Sequence, residues 1–179
     1  RESASLLSEY GEERHARSIA RAIVEARPLA TTTELKAVVD AAKPKLHQPE
    51  FQTKRLARVF QALRIEVNRE MSELDAVLDA ATTLIKPGGR LVVLSYHSLE
   101  DRRVKRFLRS GSVSNADALV AAMYGNTAAP WRPLSRKAGI ATDDEVQRNS
   151  RARSAKLRVG ERTEMGLAEW LEGWRSEAR

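Results

Sequence analysis

Tyr96, His97 and Ser98 form the chemically richest run of the chain, and Asp101 follows Ser98 three positions later. The phenol ring can stack on a base, while the imidazole, hydroxyl and carboxylate can accept hydrogen bonds from an exocyclic amine. The same residue types occur in hydrolytic Ser/His/Asp triads, but neighbours at a strand end rarely point at one another, so a triad is disfavoured. The spacing therefore favours a group that binds and orients a ligand.

A turn, a strand and a helix must position these side chains. The Pro-Gly-Gly sequence at 87–89 predicts the turn, and the apolar run 91–94 predicts a strand buried on both faces, as in a parallel sheet. Open α/β sheets bind their ligands at the carboxyl ends of such strands. Ser98 and Asp101 approximate a capping box, which predicts a helix over residues 99–109.

The rest of the second half is predicted to alternate helices and strands. Apolar residues recur at three- and four-residue steps between Pro49 and Pro87, which predicts one long helix over residues 51–84, with a break near Thr53 left open. Further elements are predicted as a helix over 116–123, a strand over 131–137, a helix capped by Thr142, a strand over 154–161 that buries Ala155, Leu157 and Val159, and a docking helix over 164–177. The fold class is therefore α/β, but three strands make an incomplete sheet.

Residues 1–48 are predicted to be helical and are rich in arginine. Thr31 and Glu34 have the spacing of a capping box, which predicts the start of a short helix there. The polar connector 43–49 is bounded by prolines and is the best candidate for a domain boundary.

Two polar stripes at helical spacing each have two explanations. The first consists of Arg14, Arg17 and Arg21, and the second of Gln61, Arg64 and Asn68. Such stripes can face a nucleic acid, but a solvated helix face is the commoner cause.

Composition narrows the classes of partner and site. The net charge of +7 and the isoelectric point near 10 point to an anionic partner, nucleic acid first, and on charge alone an ordinary basic surface is an equal alternative. The absence of cysteine excludes disulfides and thiolate metal sites, and the three histidines are too far apart in sequence to suggest structural zinc. Neither a membrane span nor a signal peptide is evident, so the cytoplasm is the expected location.

Four segments of the chain closely resemble the bacterial MraW (RsmH) family of 16S ribosomal RNA methyltransferases. They are GEERHARSIARAI at 11–23, VFQALRIEVN at 59–68, LIKPGGRLVVLSYHSLEDR at 84–102 and RARSAKLR at 151–158. The run from Ser95 to Arg102 is the most specific of these signals. Tyr124-Gly125-Asn126 and the entry LARVF at 56–60 are similar to the Bacteroidetes branch of the family.

The resemblance implies methylation of the N4 amine of a cytidine in the decoding centre of 16S rRNA, with S-adenosyl-L-methionine as methyl donor. It implies a class I Rossmann-like methyltransferase domain that is interrupted by an α-helical, RNA-recognition insertion. On that map, residues 1–55 are part of the insertion and residues 56–179 are the C-terminal half of the methyltransferase domain. The family's cofactor loop would lie upstream, so we expect no cofactor-binding residue in this chain and little activity from it alone.

With a methyltransferase as the working hypothesis, residue type and position suggest roles for single residues. Tyr96, His97 and Ser98 are expected to line the cytosine pocket as catalytic residues, and no metal ligand is expected. Substrate contacts are expected from Asp101, Arg102, Arg64 and Asn68, although Asp101 and Arg102 can instead form a structural pair at the helix start. The expected partner is the small ribosomal subunit, and a homodimer is left open. The alternatives are an inactive RNA-binding fragment and, ranked low, a helical DNA-binding regulator.

Overall fold

The computed structural model describes residues 2–42, 49–113 and 129–165. The chain divides into two compact units, residues 1–70 and residues 71–179. This division lies C-terminal to the boundary expected between residues 55 and 56. The predicted connector at 43–49 lies mostly outside the described residues, as do the helices expected at 116–123 and 164–177.

The described part of the first unit is helical, because its apolar residues recur with the period of a helix. Its helices are α1 (Glu2–Glu9), α2 (Ala16–Glu25), α3 (Thr32–Ala41) and α4 (Pro49–Asn68). Leu7, Ile19, Val39 and Val59 are buried together in the core that these helices share. Arg14, Arg17 and Arg21 are all exposed, but only Arg17 and Arg21 lie on α2, since Arg14 precedes the helix.

The capping box predicted for α3 is confirmed. The Glu34 amide donates to Thr31 Oγ1 over 3.2 Å, and the Thr31 amide donates to Glu34 Oε2 over 3.1 Å. A further bond from the Ala30 amide, at 2.7 Å, also ends on Glu34 Oε2. The backbone bonds from Ala30 and Thr31 lower the pKa of the Glu34 carboxyl, since both stabilise its charged form.

Replacing Thr31 by alanine is expected to lower the free energy of unfolding of the first unit by about 1 kcal/mol, because an amide at the helix start loses its acceptor. Urea denaturation followed by circular dichroism measures the change. Thr33→Ala is the matched control, since Thr33 is exposed in the first turn and alanine favours a helix. Equal stabilities of the two variants would show that the cap contributes nothing.

The prediction of one helix over residues 51–84 is wrong, because the helix is interrupted at Arg69. This residue has φ +53°, in the left-handed region, and it separates α4 from α5 (Glu70–Leu84). Apolar spacing continues on both sides of the interruption, so periodicity alone does not reveal it. No break occurs at Thr53, which lies within α4.

The second unit combines helices with a small antiparallel sheet. Its further elements are β1 (Arg90–Ser95), α6 (Ser98–Ser110), β2 (Trp131–Pro133), β3 (Gly139–Ile140), α7 (Asp143–Arg148), a 3-10 helix (Ser150–Ser154) and β4 (Lys156–Arg162). β4 pairs with β1, β2 and β3, and all of these pairings are antiparallel. The α/β class is confirmed, whereas the parallel neighbours inferred for β1 are not among the described strands. The strand predicted over 131–137 ends at Pro133, and the predicted cap Thr142 accepts a bond from the Glu145 amide.

Burial of β1 on both faces was predicted, and this prediction is wrong within the described residues. Val92 is 59% exposed and Leu94 is 51% exposed, whereas Leu91 and Val93 pack against the core of the unit. That core contains Leu78, Val104, Phe107, Leu108 and Trp131, so it covers one face of the strand. The apolar run specifies a strand but does not tell which elements cover each face.

The buried face predicted for β4 is also wrong. Leu157 is exposed, while Gly160 and Arg162 are buried. A Cβ at Gly160 would lie 2.3 Å from Leu108 Cδ2, so the glycine permits close packing of α6 on β4. Arg162 can be buried because its guanidinium donates to the carbonyl oxygens of Thr82 and Pro130, which satisfy its polar groups.

Candidate functional site

The predicted site residues lie in the joint between β1 and α6. Ser95 ends β1, and it is 2% exposed with no hydrogen-bond partner for its hydroxyl among the described residues. Tyr96 is 55% exposed, so its ring is accessible to a planar ligand. Ser98 is exposed at the first position of α6, whereas the His97 side chain is largely buried.

His97 caps α6, which corrects the prediction that Ser98 and Asp101 form the capping box. The Glu100 amide donates to His97 Nδ1 over 3.4 Å. In return, Glu100 Oε2 accepts bonds from the Tyr96 amide at 2.9 Å and from the His97 amide at 3.3 Å. The residue after β1 is therefore held by both its backbone and its side chain, and the helix begins one residue earlier than predicted.

The cap also orients the imidazole of His97. A neutral imidazole that accepts a bond at Nδ1 carries its proton on Nε2. Nε2 lies 3.4 Å from Glu100 Oε1, so a carboxylate stands beside the nitrogen that bears the proton. This arrangement fixes one tautomer of the neutral ring.

Asp101 forms an ion pair with Arg158, which corrects the suggestion that it pairs with Arg102. Arg158 Nε donates to Asp101 Oδ1 over 2.7 Å, and Arg158 Nη2 donates to Oδ2 over 3.2 Å. Lys156 Nζ lies 3.5 Å from Oδ2. Because this carboxylate is bonded to two cations on β4, it joins the first turn of α6 to the sheet and is unsuited to a triad with His97.

The environment of Asp101 changes its pKa in two opposite directions. Burial raises the pKa of this carboxyl, but the hydrogen bond and charge of Arg158 and the charge of Lys156 lower it more. The net result is a pKa below the ordinary value of 3.8. Asp101 is therefore ionised at neutral pH and serves as an acceptor, not as an acid.

Arg64 and Asn68 lie in the first unit, where both contact one carboxylate. Arg64 Nε donates to Glu70 Oε1 over 2.7 Å, Arg64 Nη2 donates to Oε2 over 3.0 Å, and Asn68 Nδ2 donates to Oε1 over 3.2 Å. These bonds cross the interruption at Arg69. Part of the predicted polar stripe thus forms local hydrogen bonds at the C-terminal end of the first unit, and its predicted contact with substrate stays a prediction.

Sequence reasoning missed Glu100 and Arg158 as members of the site. A local signal existed for Glu100, since it follows His97 at the three-residue spacing of a capping box. Histidine is not among the common capping residues, which is why this pair was overlooked. Arg158 is distant from Asp101 in sequence, and no local pattern joins the two.

The second unit is thus an α/β structure that presents polar side chains and an accessible aromatic ring at the carboxyl end of a strand, where α/β enzymes hold their ligands. A family model described as the MraW methylase family matches residues 1–163. The chain therefore belongs to the MraW methylase family, a family of methyltransferases. No helix in the described ranges is long and apolar enough to span a membrane.

Curated relatives carry the same family relationship. The chain is 48% identical over 161 residues to ribosomal RNA small subunit methyltransferase H of Amoebophilus asiaticus, covering 88% of this chain and 50% of the relative. The protein of the same name from Phocaeicola vulgatus is 45% identical over 153 residues, with 86% and 49% covered. The one from Chloroherpeton thalassium is 48% identical over 166 residues, with 90% and 51% covered. The chain spans about half the length of these relatives.

Proposed function

We propose that this chain is the C-terminal portion of an S-adenosylmethionine-dependent enzyme that methylates the N4 amine of a cytidine in the decoding centre of 16S rRNA. The observation that carries the proposal is the match to the methylase family across both units, together with relatives named for small-subunit rRNA methylation. On this proposal, residues 1–55 belong to a helical RNA-recognition insertion and residues 56–179 to the methyltransferase domain. A ribosomal substrate implies a cytoplasmic enzyme.

The exposed sheet face supports the assignment to one half of a methyltransferase domain. Val92 and Leu94 expose apolar side chains on β1, and Leu157, which lies opposite Leu94, adds apolar surface on β4. Apolar surface of this kind is stabilised when further elements cover it. The half of the relatives that this chain does not match is the proposed source of those elements.

Methyl transfer to an amine requires alignment of the reacting atoms and removal of a proton from the nitrogen. In the proposed site, the exposed ring of Tyr96 stacks on the cytosine, and Ser98 offers a hydroxyl to its polar edge. His97 holds its imidazole in one orientation through the Glu100 cap and contacts the base, while the proton of the amine is released to solvent. Asp101 lies in the first turn of α6, and Arg102 follows it in the helix.

S-adenosylmethionine would supply the methyl group. Cβ atoms at most of the described glycines would meet protein atoms, so these glycines offer no open cradle for it. A Cβ at Gly88 would meet no atom within 4 Å, but Gly88 lies in the turn before β1, away from the carboxyl end of the strand. The donor site is therefore proposed to require the half of the relatives that this chain does not match.

Arg64 and Asn68 remain proposed substrate contacts on the first unit, next to the carboxylate of Glu70. The net charge of +7 supports binding of an RNA partner, because cations that neutralise phosphates release counterions. The Bacteroidetes-like branch and a homodimer also remain predictions.

The intact protein with labelled S-adenosylmethionine and 30S subunits that lack the modification provides the test. We expect label in one cytidine of 16S rRNA, identified as N4-methylcytidine by nuclease digestion and mass spectrometry. Salt-sensitive binding of 16S rRNA without methyl transfer by the intact protein would instead identify an RNA-binding module.

A further inference from the structure

A small basic pocket lies on the second unit between α6, β4 and the segment that follows β2. It has a volume of about 260 Å³. Its lining residues are Lys105, Leu108, Arg109, Pro133, Ser135, Arg136, Arg158 and Val159. Four of these residues are cations and none is acidic, so the pocket is suited to an anion.

Three parts of the chain supply the cations of the basic pocket: α6, the segment after β2, and β4. Lys105 and Arg109 are one turn apart on α6 and exposed, and Arg136 is exposed after β2. None of these three forms an ion pair with another residue in the described ranges. Arg158 has a side chain only 11% exposed, and its orientation is set by its bonds to Asp101.

This grouping of like charges is unfavourable without a ligand. Cations one helical turn apart repel each other, and a third cation from another element adds to the repulsion. An anion in the pocket removes that repulsion. Arginine in particular presents paired N–H donors that match two oxygens of a phosphate.

The volume of the pocket and its apolar lining residues indicate which kind of phosphate group it binds. Leu108, Pro133 and Val159 provide apolar surface beside the cations, which suits a ribose next to a phosphate. A volume of about 260 Å³ is below the usual range for a site that encloses a whole small-molecule ligand. One phosphodiester group with its sugar, within a longer strand that continues into solvent, matches both features.

We propose that the basic pocket binds a backbone phosphate of the substrate RNA, at a position distinct from the Tyr96, His97 and Ser98 side chains. Arg158 links the two places, because it contacts Asp101 at the start of α6 and also lines the pocket. A strand fixed there by its phosphate is oriented relative to the β1–α6 joint. This inference rests on the proposed function for the identity of the strand as RNA.

The test measures binding of a labelled single-stranded RNA, with the sequence of the 16S decoding centre, to the intact protein by fluorescence anisotropy over a range of salt concentrations. The triple variant Lys105→Gln, Arg109→Gln and Arg136→Gln removes the exposed cations of the pocket. Its Kd is expected to rise about tenfold at low salt, the loss expected for charge-assisted hydrogen bonds. The salt slope of log K is expected to shrink by about 0.7, the value for one phosphate contact on a single strand.

A matched control removes three exposed cations of the same unit outside the pocket, as Lys86→Gln, Arg151→Gln and Arg153→Gln. It is expected to bind RNA more tightly than the pocket variant and with the wild-type salt slope. An equal loss in the two triple variants would overturn the proposal, since the effect would then come from net charge alone. Wild-type binding by the pocket variant would overturn it as well.

Competition with inorganic phosphate tests whether the basic pocket binds an RNA strand or a free anion. At equal ionic strength, phosphate is expected to displace RNA from the wild type better than chloride does and to have no such advantage with the pocket variant, because both ligands would occupy the same cations. Phosphate that binds the wild type but not the pocket variant, without displacing RNA, would assign the pocket to a small anion and overturn the RNA assignment. Circular dichroism confirms that each variant is folded.

The methylation assay separates this inference from the proposed function. Wild-type protein that methylates 30S subunits, combined with a pocket variant that binds RNA normally, refutes the pocket and leaves the function intact. Wild-type protein that does not methylate, combined with weak RNA binding by the pocket variant, refutes the function and supports the pocket.

Discussion

Replacing Asp101 by asparagine is expected to lower the free energy of unfolding of the second unit by about 3–5 kcal/mol, because it removes one partner of a buried ion pair. Arg158 would keep its charge with a side chain only 11% exposed, and the amide of asparagine cannot neutralise it. The two bonds that join α6 to β4 would also weaken. Denaturant unfolding of the wild type and the variant at neutral pH measures the difference.

The same ion pair predicts a pH dependence of stability. Because the folded pKa of Asp101 lies below its ordinary value of 3.8, the unfolded chain binds the proton more readily. The contribution to stability is therefore fully present above the unfolded pKa and is lost as the pH falls through the folded pKa. We expect the difference in the free energy of unfolding between the wild type and Asp101→Asn to become smaller below pH 3.8.

Asp79→Asn is the control for this prediction. Asp79 is an exposed carboxylate on α5, so its replacement is expected to change the free energy of unfolding by less than about 0.5 kcal/mol. A second comparison replaces both Asp101 and Arg158 by apolar residues, which removes the buried charge together with its partner. If Asp101→Asn is as stable as Asp79→Asn, the pair does not hold α6 to the sheet.

Replacing His97 by alanine is expected to reduce methyl transfer by the intact enzyme at least about tenfold, the low end for loss of an acid–base or positioning group. The structure assigns two features to this side chain, the cap on the Glu100 amide and the imidazole Nε2 beside Glu100 Oε1. Alanine removes both. Steady-state kinetics with 30S subunits and thermal unfolding of the same variant measure the two consequences.

Asparagine at position 97 separates capping from chemistry. Asparagine is a good helix cap, so His97→Asn is expected to recover the stability lost in His97→Ala. It has no imidazole, and we therefore expect its kcat to remain low. Recovery of both stability and kcat in His97→Asn would show that His97 acts only by positioning the start of α6, and wild-type activity in His97→Ala would remove it from the site altogether.

The features that the sequence predicted correctly depend on residues close together in the chain. Thr31 and Glu34 interact across three positions, and Thr142 caps α7 in a similar way. The strand at β1 and the helix after it follow from an apolar run and from a polar segment directly behind it. The resemblance to the methylase family likewise depended on short continuous motifs, and the family match confirmed it.

The positions of the site residues at the end of the strand could be predicted from the same local signals. Their hydrogen-bond and ion-pair partners could not. Tyr96, His97 and Ser98 were expected at the carboxyl end of the strand and lie there. The capping role was assigned to Ser98 because serine is a common cap, whereas the backbone geometry gives that role to His97. Whether these three residues act on a cytosine stays a prediction.

Tertiary structure alone decided the interruption at Arg69, the exposed face of β1, the buried face of β4 and the pairing of Asp101 with Arg158. Each of these depends on which distant elements pack together, and an alternating or periodic pattern is compatible with more than one such arrangement. Arg158 shows the reason most clearly. In the strand pattern it is a polar residue that should face water, and only the approach of α6 places the Asp101 carboxylate where it stabilises a buried guanidinium.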